Sequence, residues 1–519
     1  MNDLSCFASL SPVREGQPLP EATVRYRSRG VVLVVGDDAG AIDVARILPA
    51  GLRAVVFTPG ANGHLKDNPR VVGGLVTKVG GHLGAFRASA LAGSGEADIG
   101  AFSHNEDGTF DLVLDLRQSP LIARSVLPPG YFAPGPATQA ARSALESLGK
   151  LVGSFAKPRY FSYDAGICAH GSRGITGCTQ CLSACGAAAI RSAGERIRVD
   201  ANLCQGCAAC TLACPTGALS FARPSRADLL ARLDAAARGA AGRFPAFTLV
   251  AHGREDRDAV HAAATGRPWA LLEVDPLPAF GEELWLAALL LGARRVVLVR
   301  GATLPAESAS VLAGRLCAVV DLLGVPHEGR VRSIASEELA SLSGEPAAVS
   351  LGAGPIRLAS GSKRGMLHDA LARIDPEPKL LGEGACLGTI HVEQAKCTLC
   401  SGCANVCPTG AIRFASTPAA QLSFVEEACI QCGMCERACP EDAITLEARL
   451  ADAATRSQPR ALVTDEPARC PSCGAPFMPL RLLEASRAKF GPELGLSAQD
   501  LDRLRLCPAC RQESMFRQS

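Results

Sequence analysis

The chain has 519 residues, a length that predicts three or four domains, and 48% of them are hydrophobic, which is enough to form buried cores. Its net charge of +2, with no run of like charge, gives no reason to expect a nucleic acid or a membrane surface as partner. The most apolar stretch, 284–298, is too short to cross a bilayer and contains two arginines, so no membrane span is predicted.

The first third of the chain predicts an α/β domain over 24–157, preceded by a flexible, proline- and serine-rich lead-in at 1–23. A buried parallel strand is expected from Val31, and an amphipathic helix is expected at the end of the domain, over 137–156. The other expected elements are a helix at 40–48 and β structure at 53–58, 71–86 and 110–116. The strand, glycine and helix at the start of this domain resemble a nucleotide-binding turn, but Gly36 and Gly40 do not make a G-x-G-x-x-G spacing. A packing or docking role is therefore favoured for this domain.

A first cysteine module is predicted over 158–223. The run LCQGCAACTLACP has the C-x2-C-x2-C-x3-C-P spacing that holds iron–sulfur cubanes in bacterial ferredoxins. A second, irregular run precedes it, in which Ile175 occupies the first ligand position and Gly186 replaces the proline. Cys168 is the only nearby thiol that could complete this irregular run. The candidate ligands of this module are Cys168, Cys178, Cys181, Cys185, Cys204, Cys207, Cys210 and Cys214.

A middle α/β domain is predicted over 224–380. Helical stretches alternate with short apolar strands such as FTLVAHG, ALLEVD and RRVVLVRG, and this alternation predicts a parallel sheet with right-handed crossovers. His252 and Asp275 follow two of these strands, at the edge where open sheets place ligands. The favoured interpretation of His252 is nevertheless a hydrogen-bonded loop residue.

A second cysteine module is predicted over 381–447, where two complete runs follow each other. Three cysteines of a run hold one cluster, while the cysteine before proline reaches the cluster of the other run. One predicted set is Cys397, Cys400, Cys403 and Cys439, and the other is Cys407, Cys429, Cys432 and Cys435. Disulfides are disfavoured because the chain is long and lacks a secretory signal, and zinc sites do not use triplets followed by Cys-Pro.

The end of the chain predicts a polar linker at 448–466 and a four-cysteine tail at 467–519. Two C-x2-C pairs predict a closed, tetrahedral and therefore structural site, with zinc favoured over a rubredoxin-like iron. Its ligands are Cys470, Cys473, Cys507 and Cys510.

Cys6, Cys317 and Cys386 are predicted to be free thiols. A chain with this cysteine usage is expected in a reducing cytoplasm.

The cysteine modules resemble the 2[4Fe-4S] ferredoxin family, and the second module has all eight motif cysteines. The layout, including the segment ICAHGSRGITGCTQC at 167–181, resembles bacterial four-cluster 4Fe-4S binding proteins. The resemblance implies four [4Fe-4S] clusters, with a three-iron cluster as the alternative at the first site. It also implies redox partners such as formate dehydrogenase-type or other molybdenum enzymes. The fold class expected is multidomain α/β and α+β, with two α/β domains alternating with two ferredoxin-like dicluster modules and a zinc-ribbon-like tail.

Three functions are consistent with these motifs. The favoured one is an electron-transfer protein without a catalytic site, which relays single electrons between redox partners. The second is an electron-wiring subunit of a larger oxidoreductase, such as a formate dehydrogenase-like or heterodisulfide reductase-like complex. The third is an enzyme that holds a nucleotide or flavin in an α/β domain, for which the sequence contains no flavin fingerprint.

Overall fold

A computed structural model describes residues 10–13, 22–60, 63–64, 70–92, 95–136, 139–342, 361–382, 384–417 and 419–516, and it is mixed α/β. Short 3₁₀ helices occur at Gly100–Phe102, Leu277–Ala279, Val325–His327, Ser336–Ser341 and Glu426–Ala428. None of the helices within these ranges is both long and apolar enough to cross a membrane.

The N-terminal α/β domain is built on a six-stranded sheet around Val31–Val35, whose five side chains are all buried. The strands, in spatial order, are Tyr131–Phe132, Leu112–Asp115, Val31–Val35, Arg53–Thr58, Arg70–Gly73 and Gly63–His64. Neighbouring strands are parallel except for the last pair. The helices Gly40–Arg46 and Gln139–Gly149 cover one face. An antiparallel sheet of Val76–Gly80, Arg87–Ala92 and Gly95–Asp98 covers the other.

Two expectations for this region were wrong. The helix expected over 137–156 ends at Gly149, and Gly153–Pro158 is instead a strand paired with Thr23–Ser28. Gly153 has a φ of +122°, a left-handed conformation that favours glycine and ends the helical path. Part of the lead-in is also ordered, because Ser11–Pro12 pairs with the same strand. The remainder, 1–9 and 14–21, lies outside the described residues.

The middle domain contains a four-stranded sheet in which every neighbouring pair is parallel, which confirms the predicted sheet type. The strands, in spatial order, are Trp269–Glu273, Phe247–His252, Ala293–Arg300 and Val331–Ala335. The surrounding helices are Arg226–Ala241, Arg257–Ala264, Glu282–Leu290, Ala306–Leu323 and Lys363–Ile374. The helix Glu282–Leu290 is almost entirely buried because it is apolar on all sides after its first turn.

The two cysteine modules share one order of elements: an outer strand, a short helix, a hairpin, a second short helix and a returning outer strand. In module 1 these are Phe161–Tyr163, Gln180–Ser183, Ile190–Ala193 with Arg196–Val199, Ala209–Ala213 and Leu219–Phe221. In module 2 they are Gly388–Val392, Gly402–Val406, Ile412–Ala415 with Ala420–Phe424, Met434–Arg437 and Ile444–Leu450. The pair Lys379–Leu380 extends the outer sheet of module 2.

Module 1 contains one additional element, a small hairpin of Gly171–Ser172 and Ile175–Thr176, called the insertion hairpin below. It lies between Cys168 and Cys178, in the irregular part of the first run. Module 2 places only Thr398 and Leu399 between its first two cysteines. The irregular spacing therefore corresponds to an inserted structural element.

The segment 448–466 is not the linker that was expected. It contains the end of Ile444–Leu450, the helix Ala453–Ser457 and the strand Arg460–Asp465, which pairs with Ala420–Phe424 of module 2. Leu462 and Val463 join the core of that module, and their burial explains why the segment folds. The tail then forms a hairpin and three helices. These are Pro467–Arg469 with Pro476–Pro479, and Leu480–Glu493, Ala498–Arg503 and Pro508–Phe516.

Candidate iron–sulfur and metal sites

The first group of cysteines surrounds a cavity in module 1, called site 1. Cys168, Cys178, Cys181 and Cys214 line this cavity, together with mostly apolar neighbours. Cys168 comes from the loop after Phe161–Tyr163, and Cys214 comes from the end of the second short helix. The structure therefore brings Cys168 to the three cysteines that lacked a fourth ligand.

His170 holds the irregular loop of site 1 in place. Its Nδ1 lies 3.0 Å from the carbonyl oxygen of Cys178, and its Nε2 lies 2.8 Å from Ser192 Oγ. The Gly177 amide donates to the His170 carbonyl, and the Cys178 amide donates to the Ala169 carbonyl. These contacts close the base of the insertion hairpin and place Cys168 near Cys178. Ile175 lies in the hairpin and is not part of the cavity wall.

Site 2 lies in the other half of module 1 and consists of Cys185, Cys204, Cys207 and Cys210. Burial raises the pKa of the Cys210 thiol well above its usual value, and the nearby charges of Cys207, Cys204 and Cys185 add to the effect. The buried Lys157, from the N-terminal domain, donates to the carbonyl oxygens of Asn202 and Cys204 at 2.9 and 2.7 Å. A positive charge thus lies against the backbone of this site.

Module 2 contains two further cavities. Site 3 is lined by Cys407, Cys429, Cys432 and Cys435. Site 4 is lined by Cys397, Cys400, Cys403 and Cys439. In both modules the last cysteine of each run faces the three cysteines of the other run. Cys400 is the only one of the sixteen cysteines that is exposed.

The three regular runs share a strained loop geometry. In each, the residues just before and just after the second cysteine have positive φ angles. These residues are Gly206 and Ala208, Leu399 and Ser401, and Gln431 and Gly433. Left-handed conformations are unfavourable for non-glycine residues and persist only where the surroundings enforce them, often at binding sites. The loops are therefore shaped to turn three side chains toward one centre.

The spacing of the thiols separates two kinds of site. A single tetrahedral zinc with bonds of about 2.3 Å needs sulfurs that are about 3.8 Å apart. Within the described parts of the chain, only Cys470, Cys473, Cys507 and Cys510 bring at least three metal-binding side-chain atoms within 4.8 Å of one another. The Sγ atoms of Cys473 and Cys507 are 3.6 Å apart. The tail fits a single ion, whereas the four cysteines around each cavity fit a larger, multi-atom group.

The environment of the sixteen thiols also fits an iron–sulfur group. Burial raises the pKa of Cys181 and Cys403 to about 12, so without a metal these thiols remain protonated near neutral pH. A metal must displace those protons, because the thiolate is the ligand. The amides of Ala189 and Ala443 donate to the sulfurs of Cys185 and Cys439 at 3.2 and 3.3 Å. Hydrogen bonds to the ligand sulfurs are one of the factors that set the reduction potential of an iron–sulfur cluster.

Sequence reasoning missed several residues beside these sites. Cys386, predicted to be a free thiol, lies next to site 1, where its Sγ contacts Gln180 Nε2 at 3.2 Å and Arg315 Nη1 at 3.6 Å. Nothing in its local sequence marks it, since it lies eleven residues before Cys397 and outside the regular cysteine spacing. Of the two other cysteines predicted to be free thiols, Cys317 is exposed, and Cys6 lies outside the described residues.

The strand-end residues of the middle domain do not form a common site. His252 is buried, and its Nδ1 lies 2.8 Å from the carbonyl oxygen of Gly253, the local contact that was favoured for it. Asp275 lies 3.8 Å from the exposed Arg254.

Family comparisons match 4Fe-4S binding domains at 196–219, 389–412 and 422–445. The matched segments contain the three regular cysteine runs but not the irregular run of module 1. A search of curated proteins found no match to the chain. The chain therefore carries ferredoxin-type 4Fe-4S motifs and is an iron–sulfur protein.

Proposed function

We propose that this protein relays single electrons between redox partners through four [4Fe-4S] clusters held in its two cysteine modules. The observation that carries the proposal is the arrangement of sixteen cysteines in four groups of four, in two modules that lie against each other. When bound, each cluster supplies a one-electron redox centre whose potential depends on hydrogen bonds, charge and solvent exposure.

The protein supplies the ligands and their electrostatic surroundings. In this proposal Cys168 completes site 1, so that site takes a four-iron rather than a three-iron cluster. Basic side chains lie near two of the sites: the buried Lys157 at site 2 and the half-buried Arg315, which contacts Cys386 beside site 1. A positive charge favours the more negative, reduced state of a nearby centre. The two α/β domains therefore contribute to the redox properties of the modules that they contact.

The tail is proposed to hold one structural zinc through its four cysteines. The set is closed, with four thiolates and no open ligand position, which is typical of structural sites.

The redox partners are proposed to be proteins, with formate dehydrogenase-type or other molybdenum enzymes as the class that the cysteine layout suggests. A cytoplasmic location agrees with the many unpaired cysteines.

Anaerobic purification with iron, sulfide, zinc and flavin analysis tests the proposal. We expect about 16 irons per chain, one zinc and no flavin. Reversible one-electron reduction of the bound clusters is also expected. About eight irons per chain in fully reconstituted protein would contradict the assignment of module 1. A stoichiometric partner subunit that co-purifies would instead favour the electron-wiring subunit of a larger oxidoreductase.

A further inference from the structure

The insertion hairpin of module 1 projects onto module 2. At its tip, Arg173 Nε donates to the carbonyl oxygen of Asn405 at 3.2 Å. At its end, the carbonyl oxygen of Thr176 accepts a hydrogen bond of 2.5 Å from Arg437 Nη2. The same Arg437 nitrogen donates to the carbonyl oxygen of Cys432, a site 3 cysteine, at 3.1 Å. One guanidinium thus joins the hairpin to the wall of site 3.

Gly177 of module 1 also packs tightly against Met434 of module 2. A Cβ placed on Gly177 would be 2.7 Å from Met434 Cε and 2.7 Å from the Ala169 carbonyl oxygen, so only glycine fits there. Gly177 directly precedes Cys178 of site 1. Met434 is fully buried, lines site 3 and directly precedes Cys435. This contact therefore joins the neighbour of a site 1 cysteine to a residue that lines site 3.

A second bridge joins the same two sites. Arg364 donates to the carbonyl oxygens of Cys386 and Glu427 at 3.1 and 2.8 Å, and also to that of Cys429 in site 3. The Cys386 side chain reaches back to Gln180, two residues after Cys178. Both bridges therefore hold site 1 against site 3.

The other two sites extend away from this contact. Within module 1, one short helix, Ala209–Ala213, holds Cys210 of site 2 and ends at Cys214 of site 1. Within module 2, the helix Gly402–Val406 holds Cys403 of site 4 and ends at Cys407 of site 3. Site 2 contacts the N-terminal domain through Lys157, and site 4 contains the exposed Cys400. The spatial order of the sites is thus 2, 1, 3, 4.

We infer that the insertion hairpin is the junction at which electrons pass between the modules, from site 1 to site 3 or back, within a linear path 2–1–3–4. This inference rests on the proposed relay function. In the step, the group at one site is oxidised by one electron and the group at the other is reduced by one, and no bond or proton is transferred. The electron enters from an external one-electron reductant. Electron tunnelling falls steeply with distance, so the contact at Gly177 and Met434 decides where transfer occurs.

Electron paramagnetic resonance of the dithionite-reduced full chain tests the order of the sites, because reduced clusters that lie close together split or broaden each other's signals. Two matched variants each remove one proposed ligand, which in both cases is the second cysteine of its run. If sites 1 and 3 lie close together, a reduced cluster at site 3 should split or broaden the signal of site 1. Cys432→Ala, in site 3, should then remove that splitting or broadening. Cys400→Ala, in site 4, should leave the site 1 signal unchanged. Equal effects of the two variants, or no effect of either, would overturn the inference.

A second pair of variants tests the hairpin itself. The double variant Arg173→Ala/Arg437→Ala removes both arginine contacts between the hairpin and module 2, and it should weaken the interaction between sites 1 and 3. The control Arg191→Ala/Arg413→Ala removes one exposed arginine from each module away from the junction, and it should retain the interaction. An unweakened interaction in the first variant would contradict the role of the hairpin. Wild-type protein without reducible clusters would instead reject the relay function itself.

Discussion

Cys168 and Ile175 show how one residue can change the interpretation of a motif. Ile175 occupies the position of the missing ligand in the sequence, and Cys168 lies ten residues before the next cysteine. The insertion hairpin places Ile175 outside the cavity and brings the ends of the loop together, so that Cys168 lines site 1. Loop closure costs little extra for a longer loop because its entropy grows only logarithmically with length.

The first prediction concerns Cys168. Cys168→Ser should convert site 1 to a three-iron or labile cluster, with loss of about one iron or more per chain, because one corner of the cubane loses its thiolate. The measurement is iron content together with a new signal in the oxidised-state spectrum. Cys317→Ser, which removes an exposed thiol outside the sites, is the control. A full iron count and an unaltered spectrum would show that Cys168 is not a ligand.

The second prediction concerns His170, whose two ring nitrogens contact Cys178 and Ser192. His170→Ala removes its contacts with the Cys178 carbonyl and the Ser192 hydroxyl, and each lost hydrogen bond should cost about 1 kcal/mol. The loop of site 1 should loosen, and its cluster should be lost first on exposure to a chelator. Rates of iron release from wild type, His170→Ala and His170→Asn provide the measurement. The asparagine variant can keep one hydrogen bond and should be intermediate, and equal rates in all three would contradict this role.

At the scale of elements, two segments form strands although their local sequence predicts a helix or a linker. Each of them has a strand partner elsewhere in the chain. The segment after Gly149 continues an amphipathic helical pattern, yet Gly153–Pro158 becomes the central strand between Thr23–Ser28 and Ser11–Pro12. The polar segment before the tail similarly adds the strand Arg460–Asp465 to module 2. Strand formation depends on partners that are distant in sequence, and so it is hard to see from a local window.

The third prediction belongs to the tail element. Cys473→Ser should release zinc and unfold residues 467–519, because structural zinc binding, about 10–16 kcal/mol in small metal-dependent domains, is coupled to local folding. Limited proteolysis and zinc analysis report the loss, while the iron–sulfur absorbance should remain. Lys489→Ala, at an exposed position of the tail that is not a ligand, is the control. Loss of iron from the modules in the cysteine variant would show that the tail is not a separate site.

At the scale of the whole molecule, the start of the helix Lys363–Ile374 joins three parts of the chain. Lys363 Nζ donates to the carbonyl oxygens of Thr211 and Leu212 in module 1 and pairs with the buried Glu282 at 3.2 Å. Burial disfavours the charged form of Glu282, but the charges of Lys363 and Arg315 outweigh this effect and lower the pKa of the carboxyl. The next residue, Arg364, contacts module 2. Two consecutive basic residues thus fix the middle domain against both modules.

The fourth prediction tests this buried pair. Lys363→Met leaves the carboxylate of Glu282 buried without its partner and should destabilise the protein by about 3–5 kcal/mol. The double variant Lys363→Met/Glu282→Gln should recover part of that loss, because it removes the uncompensated charge. Chemical unfolding of the anaerobic protein measures both free energies. The single variant Glu282→Gln completes the comparison, and a double variant as unstable as the sum of the two single variants would show that the two residues do not interact.

The sequence alone determines the chemistry of this protein. Spacing within a tight loop is a local property, so the three regular cysteine runs, the tail pairs and the alternation of the middle domain could be read without a structure. The parallel sheet of that domain followed from the same local patterns.

Only the tertiary structure decided how the sites are arranged relative to one another. The contact of Gly177 with Met434, the approach of Cys386 to site 1 and the bridge formed by Arg364 each join residues that are distant in sequence. Such contacts depend on the packing of whole modules, and no local pattern encodes them. The order proposed for the four sites therefore depends on the fold, while the candidate ligands in the three regular runs follow from the sequence.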